Sequence, residues 1–175
     1  MRSFETGNLR IPIAAVKQGK THFEFHLPPG EEVREGVSFP SGLAVQADVQ
    51  AIGDDFLVDL LISGEGEFAC DRCGKGFRRG VQEKVQTLFS HGSGLDLGKD
   101  EDEEIRRIQP SDRDLDITQD VTDGFLLSIP AKLLCREDCR GLCPICGAEW
   151  NEGTCSCSRE ESQSTWDALK NLKFD

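Results

Sequence analysis

The chain has 175 residues and a formal net charge of −12, enough length for one core or a core with a small appendage. So acidic a chain has no global attraction for phosphate backbones and favours a basic partner or a local basic patch. No apolar run reaches the roughly 18 residues of a membrane span. Glu5, Asn8 and Arg10 interrupt any apolar signal-like stretch near the start, so a cytoplasmic protein without a membrane partner is expected.

Residues 1–90 read as a β-rich body that includes the first C-x-x-C. His22 to Leu27 is a short candidate strand ended by Pro28-Pro29-Gly30. Leu43, Val45, Ala47, Val49 and Ala51 alternate with mostly polar positions, the period of a half-buried strand. Gly53-Asp54-Asp55 marks a turn, and Phe56, Val58, Leu60 and Ile62 alternate again, which predicts a hairpin. Gly64 and Gly66 predict a bulge or bend. Phe77, Val81, Val85 and Phe89 fall on one side of a further strand, which places Cys70 and Cys73 at the turn before it.

Residues 91–113 are rich in glycine and acid, with the run Asp100-Glu101-Asp102-Glu103-Glu104, and read as a solvated, flexible loop. Residues 114–134 hold a short strand at Leu115-Asp116-Ile117. A short helix over about Val121 to Ser128 follows and packs back on the body. Thr118 or Asp120 is its candidate cap, Phe125 and Leu126 its apolar side, Gly124 a weak point and Pro130 its end. Residues 135–175 form a cysteine-rich module and a C-terminal helix on which Trp166, Leu169 and Leu172 recur at helical spacing.

The eight cysteines lie at short spacings: Cys70 and Cys73, then Cys135, Cys139, Cys143, Cys146, Cys155 and Cys157. Such spacings place thiolates on one small turn, which suits a metal better than the distant loop closures of disulfides. Zinc takes four thiolates in a tetrahedron. Cys143-Pro144-Ile145-Cys146-Gly147 has the form of a zinc knuckle, and Cys155-Ser156-Cys157 completes a Cys₄ set. Cys70, Cys73, Cys135 and Cys139 either make a second set that closes the C-terminal segment onto the body, or the two C-x-x-C-G knuckles pair with each other, or some of these thiols stay free.

Enzyme signatures are missing. Cys70/Cys73 lack the βαβ context of a thioredoxin site. His22-Phe23-Glu24 matches half a deaminase motif, but Pro144 follows its cysteine instead of preceding it. Neither G-x-S-x-G nor a phosphate-cradling P-loop occurs, and there are only three histidines. The expectation is a non-enzyme without a small-molecule substrate. A local basic stretch, Arg72, Lys75, Arg78 and Arg79, is the candidate RNA contact; the competing reading is a solvated strand face.

The segment from Leu134 to Gly147, followed by Asn151-Glu152-Gly153-Thr154-Cys155-Ser156-Cys157, closely resembles the C-terminal motif of the YceD family. That family also carries a C-x-R-C turn in its middle, here Cys70-Asp71-Arg72-Cys73, and the order of elements agrees from about Gly42 onward. These are bacterial and plastid proteins needed for accumulation of large-subunit ribosomal RNA. The resemblance implies a factor supporting 23S rRNA processing and large-subunit assembly, with rRNA or assembly proteins as partners, among them a basic ribosomal protein or a ribonuclease. The expected fold is α+β: a β-rich body, either an antiparallel sheet or a partly open barrel, with a zinc-binding C-terminal module. The alternative function is a zinc- or redox-responsive adaptor for a basic partner, with an exposed Cys70/Cys73 pair as sensor.

Overall fold

The computed structural model describes residues 9–29, 37–91 and 105–157. The expected C-terminal helix and the acidic run at residues 100–104 lie outside them. Strands β1 (Arg10–Pro12), β2 (Lys20–Leu27), β3 (Val37–Ser38), β4 (Leu43–Ile52), β5 (Asp55–Ala69), β6 (Gly76–Ser90), β7 (Ile105–Arg107) and β8 (Asp114–Asp116) precede one helix, α1 (Thr118–Ser128). The main sheet runs β2-β4-β5-β6-β7, with β3 also on β5, while β1 and β8 form a separate pair. All pairings are antiparallel except β6 with β7. The sheet is open, so the barrel alternative is not the one adopted. β7 lies inside the segment expected to be loop: Leu88 pairs with Ile105 and Ser90 with Arg107, which covers one end of the β6 edge.

Alternation decides which face is buried. Leu43, Val45, Ala47 and Val49 of β4 and Phe56, Val58, Leu60 and Ile62 of β5 are buried on one face. Residues β2 contributes opposite β4 include Phe23 and Phe25, which pack against the same core. Helix α1 closes this face with Asp120, Val121, Gly124 and Phe125. Phe125 meets Phe39 edge-on at a centroid distance of 4.9 Å.

Four sequence expectations change here. The β5–β6 register continues unbroken from Phe56↔Phe89 to Ala69↔Gly76, so Gly64 and Gly66 make no bulge. They sit where Phe39 enters the core: a Cβ at Gly66 would come within 3.0 Å of the Phe39 ring and closer still to Phe68. Gly124 likewise lets α1 approach the sheet, since a Cβ there would lie 2.5 Å from Val85 Cγ2 and 2.7 Å from Ile62 Cδ1. The helix starts at Thr118, where the Asp116 carboxylate accepts the Thr118 N–H at 3.0 Å, in place of a cap from Thr118 or Asp120. Asp120 is instead buried and accepts the Thr87 hydroxyl at 2.9 Å. Leu126 and Leu127 point outward, because the buried positions follow 120, 121, 124 and 125 around the helix.

Candidate metal centres

The β5–β6 hairpin extends beyond the main core, and its tip carries Cys70 and Cys73. The Gly74 N–H donates to the Cys70 carbonyl at 2.8 Å, and the Cys70 N–H to the Lys75 carbonyl at 3.0 Å. Gly74 has φ +69°, a left-handed turn position that favours glycine. The second knuckle repeats this plan. The Gly147 N–H donates to the Cys143 carbonyl at 2.9 Å, the Cys143 N–H to the Ala148 carbonyl at 2.8 Å, and Gly147 has φ +71°.

Two quartets of sulfurs result. Cys70, Cys73, Cys135 and Cys139 form one, and Cys143, Cys146, Cys155 and Cys157 the other, with all four sulfurs of each within 4.8 Å of one another. The structure thus selects the first of the two pairings left open by the sequence: the knuckles do not pair with each other. In the first quartet Cys70 Sγ lies 3.8 Å from Cys139 Sγ, and Cys73 Sγ 3.8 Å from Cys135 Sγ. A tetrahedron with Zn–S bonds of about 2.3 Å has sulfur–sulfur edges of about 3.8 Å, whereas a disulfide needs about 2.05 Å. All eight cysteines are free thiols. The donor set and spacing therefore fit a tetrahedral thiolate metal site.

Proton energetics point the same way. In the first quartet burial pushes the Cys70 thiol up, but backbone hydrogen bonds at Cys135, Arg72 and Cys73 outweigh it and bring it down to about 6. Cys135 is pushed up to about 12 by burial and by the neighbouring thiols. In the second, a backbone hydrogen bond at Cys157 and the Trp150 side chain lower Cys155 to about 6, while Cys146 and burial raise Cys157 to about 12. Crowded sulfurs share negative charge unequally when only protons balance it; a divalent cation would stabilise all four thiolates at once.

The first quartet joins distant parts of the chain and is fastened from several sides. The Asp71 N–H donates to the Leu133 carbonyl at 2.8 Å, and the Leu133 N–H to Asp71 Oδ2 at 2.7 Å. Arg72 Nη1 donates to the Cys139 carbonyl at 2.6 Å. Asn151, from the second knuckle's connection, donates Nδ2 to Cys139 Sγ at 3.3 Å, and its Oδ1 accepts from Arg136 Nη2 and the Arg140 N–H. This amide lowers the Cys139 thiol and ties the two quartets together. Nothing in its spacing marked Asn151 beyond turn character.

The profile of the large ribosomal RNA subunit accumulation protein YceD matches residues 58–173. The chain belongs to the YceD family. The family match begins inside β5 rather than at Gly42 and takes in all eight cysteines. Among curated proteins, an uncharacterised protein of Mycobacterium tuberculosis is 28% identical over 130 residues, covering 71% of this chain and 62% of that protein. The chloroplastic large ribosomal RNA subunit accumulation protein YCED homolog 1 of Arabidopsis thaliana is 25% identical over 161 residues, covering 77% of this chain and 50% of the homolog. The chain thus spans about half to three-fifths of the length of these relatives. No solved structure matches it.

The expected RNA-contact residues meet different fates. Arg72 is committed to the Cys139 carbonyl. Lys75 pairs with Glu152 at 3.4 Å. Arg78 reaches Glu67 through Nη2 at 2.6 Å and Nε at 3.0 Å. Arg79 alone of the four has no hydrogen-bond or ion-pair partner among the described residues. The expected exposed sensor pair is corrected outright: Cys70 and Cys73 are only 3% and 8% exposed, because the post-helix segment covers the hairpin tip. No helix among the described residues is long and apolar enough to cross a membrane.

Proposed function

We propose that this chain is a non-enzymatic ribosome-biogenesis factor in the cytoplasm. It supports 23S rRNA accumulation and large-subunit assembly, and structural zinc at each quartet holds its working surface together. The observation that carries this reading is the pair of Cys₄ quartets inside the segment that matches the YceD family. The name of the Arabidopsis relative supports the ribosomal assignment. Cys70, Cys73, Cys135 and Cys139 would hold one ion, and Cys143, Cys146, Cys155 and Cys157 the other. A Cys₄ set leaves zinc no open position, which suits architecture rather than Lewis-acid chemistry.

A binding role is further supported by how the polar groups on the outer sheet face are used. A concavity of about 530 Å³ there is lined by Gln46, Asp48, Asp59, Lys84 and Gln86. Asp48 is held by His22 at 2.8 Å and Lys20 at 3.0 Å, and Asp59 by Gln86 at 2.6 Å. These carboxylates are half-buried and already engaged across strands, an arrangement that serves the sheet. The net charge of −12 favours a basic protein partner as a second contact besides rRNA.

Depletion of the protein in its own cells, with quantification of mature and precursor large-subunit rRNA, tests the role. A specific fall in 23S rRNA, restored by the wild-type chain, is expected; unchanged rRNA and subunit profiles would refute it. Elemental analysis of protein purified without chelator should find two zinc ions per chain, one for each quartet.

A further inference from the structure

Where β6 leaves the hairpin tip, Phe77 and Arg79 share the strand face that carries Val81 and Phe89 into the core. An arginine on that face is out of place for packing, and Arg79 is exposed and unpartnered among the described residues. Facing it runs the segment 132–137, fixed by the two Asp71–Leu133 hydrogen bonds and by Cys135 in the first quartet. Between them lies a groove of about 250 Å³, with Phe77 and Leu134 forming apolar lining and Arg79, Lys132 and Arg136 supplying positive charge, while Arg78 turns its guanidinium to Glu67 on the opposite face. Glu137 is the one carboxylate among its lining residues.

Three cations around one small groove stand out in a chain of net charge −12. Arg78 is held by Glu67, and Arg136 also pairs with Asp138 and Asn151. Lys132, like Arg79, has no partner among the described residues. Like charges gathered this closely repel unless an anion sits among them. The groove is smaller than the roughly 300–1,000 Å³ of small-molecule sites, which favours a chain passing through over an enclosed ligand. A cationic rim above an aromatic floor is the arrangement that holds single-stranded nucleic acid, with phosphates on the rim and a base on the ring. An acidic peptide would answer the rim but not the floor.

We propose that this groove binds a single-stranded RNA segment, with phosphates at Arg79 and Lys132 and a base against Phe77. The site is built from both halves of the chain and rests on the ribosomal RNA reading above. Lys132 joins Arg79 in the basic surface inferred from sequence, in place of Arg72, Lys75 and Arg78, which are committed to structure.

The test is binding of a fluorescent 12-nucleotide oligouridine to the full, metal-loaded chain at low salt. The double variant Arg79→Glu/Lys132→Glu should weaken it by about tenfold or more. The same variant should flatten the slope of log affinity against log salt by roughly 1.4, two contacts at about 0.7 each on a single strand. Lys17→Glu/Arg113→Glu, outside the groove and with the same change in net charge, should stay within about twofold. An abasic oligomer of equal length should bind at least about fivefold more weakly than oligouridine. Equal losses in both double variants would overturn the proposal, as would tighter binding of polyglutamate in place of RNA, or no RNA binding by the parent. The depletion assay separates these failures from failure of the underlying role. If Arg79→Glu/Lys132→Glu restores rRNA as well as wild type, the groove is not the working contact, although the ribosomal reading stands.

Discussion

The two cysteine quartets begin from the same turn and end in different settings. Each knuckle closes with the same two backbone hydrogen bonds and a glycine at positive φ. In the first quartet three of four cysteines are buried, and its ligands come from the hairpin tip and from beyond the helix. In the second, only Cys143 is buried, Cys146 is exposed, and all four ligands lie within residues 143–157. The local motif specifies a knuckle, whereas the partner segment decides whether the knuckle staples two regions or merely folds one. A clip across a long loop removes more conformational entropy than a local one, so the first quartet joins the β body to the segment just after α1.

The sharpest way to break this contrast is Cys70→Ser/Cys139→Ser. Hydrogen exchange should show protection lost across residues 132–142 and zinc content falling by one equivalent. The sheet should remain, because the main core is a separate cluster from the cysteine cluster and the two share only Phe77 at their border. The matching Cys146→Ser/Cys157→Ser variant should leave protection at residues 70–75 in place. Collapse of the far-ultraviolet β signal in the first variant would show instead that the staple supports the whole body.

Acid should separate the quartets less sharply but measurably. The pKa values of about 6 at Cys70 and Cys155 mark thiolates favoured by the fold, a contribution present above the ordinary thiol pKa of 9 and lost as pH falls through about 6. Cys135 and Cys157, near 12, favour the protonated form; without metal that contribution is present below pH 9 and lost as pH rises through about 12. Metal must displace those protons, so its affinity should fall about tenfold per pH unit for each proton displaced as pH drops from 9 toward 6. Zinc release followed with a chromogenic chelator should show the exposed second quartet emptying first. Simultaneous release would mean that Asn151 couples the two sites fully.

The smallest effect concerns that link. Asn151→Ala removes the donor to Cys139 Sγ and the acceptor for Arg136 and Arg140, and should weaken metal binding at the first quartet by about 10- to 100-fold. Lys75→Met breaks only an exposed ion pair between the two knuckles and should leave metal retention unchanged. Equal losses in both variants would make the knuckle–knuckle contact general rather than specific to the sulfur.

Much of this was legible in residue order. Alternation in Leu43–Ala51 and Phe56–Ile62 placed the hairpin and its buried face, since a period of two admits one inward set. The C-x-x-C-G spacing located both knuckles. What alternation does not carry is long-range pairing: that Cys135 and Cys139 return to Cys70 and Cys73 depends on α1 packing on β6, which sets where residue 129 emerges. Local habit reads glycine as bulge at Gly64 and Gly66 and as weakness at Gly124, while its use at all three is room for another element's side chain. Arg72, Lys75 and Arg78 read as a basic patch because their acceptors lie on other segments: a carbonyl at Cys139 and carboxylates at Glu152 and Glu67.

The separation of the first quartet's ligands along the sequence has a consequence during synthesis. The 69 residues from just after Cys70 through Cys139 take roughly 3–14 s to translate at about 5–20 residues per second. A β-hairpin forms in about 1–10 μs, so the tip with its two thiols is ready long before its partners exist. For those seconds the nascent polypeptide displays half of a candidate metal site. A metal ion captured there early would be held by two sulfurs and enclosed only once Cys135 and Cys139 are made, which makes that interval the one in which oxidation or a wrong metal can enter the fold.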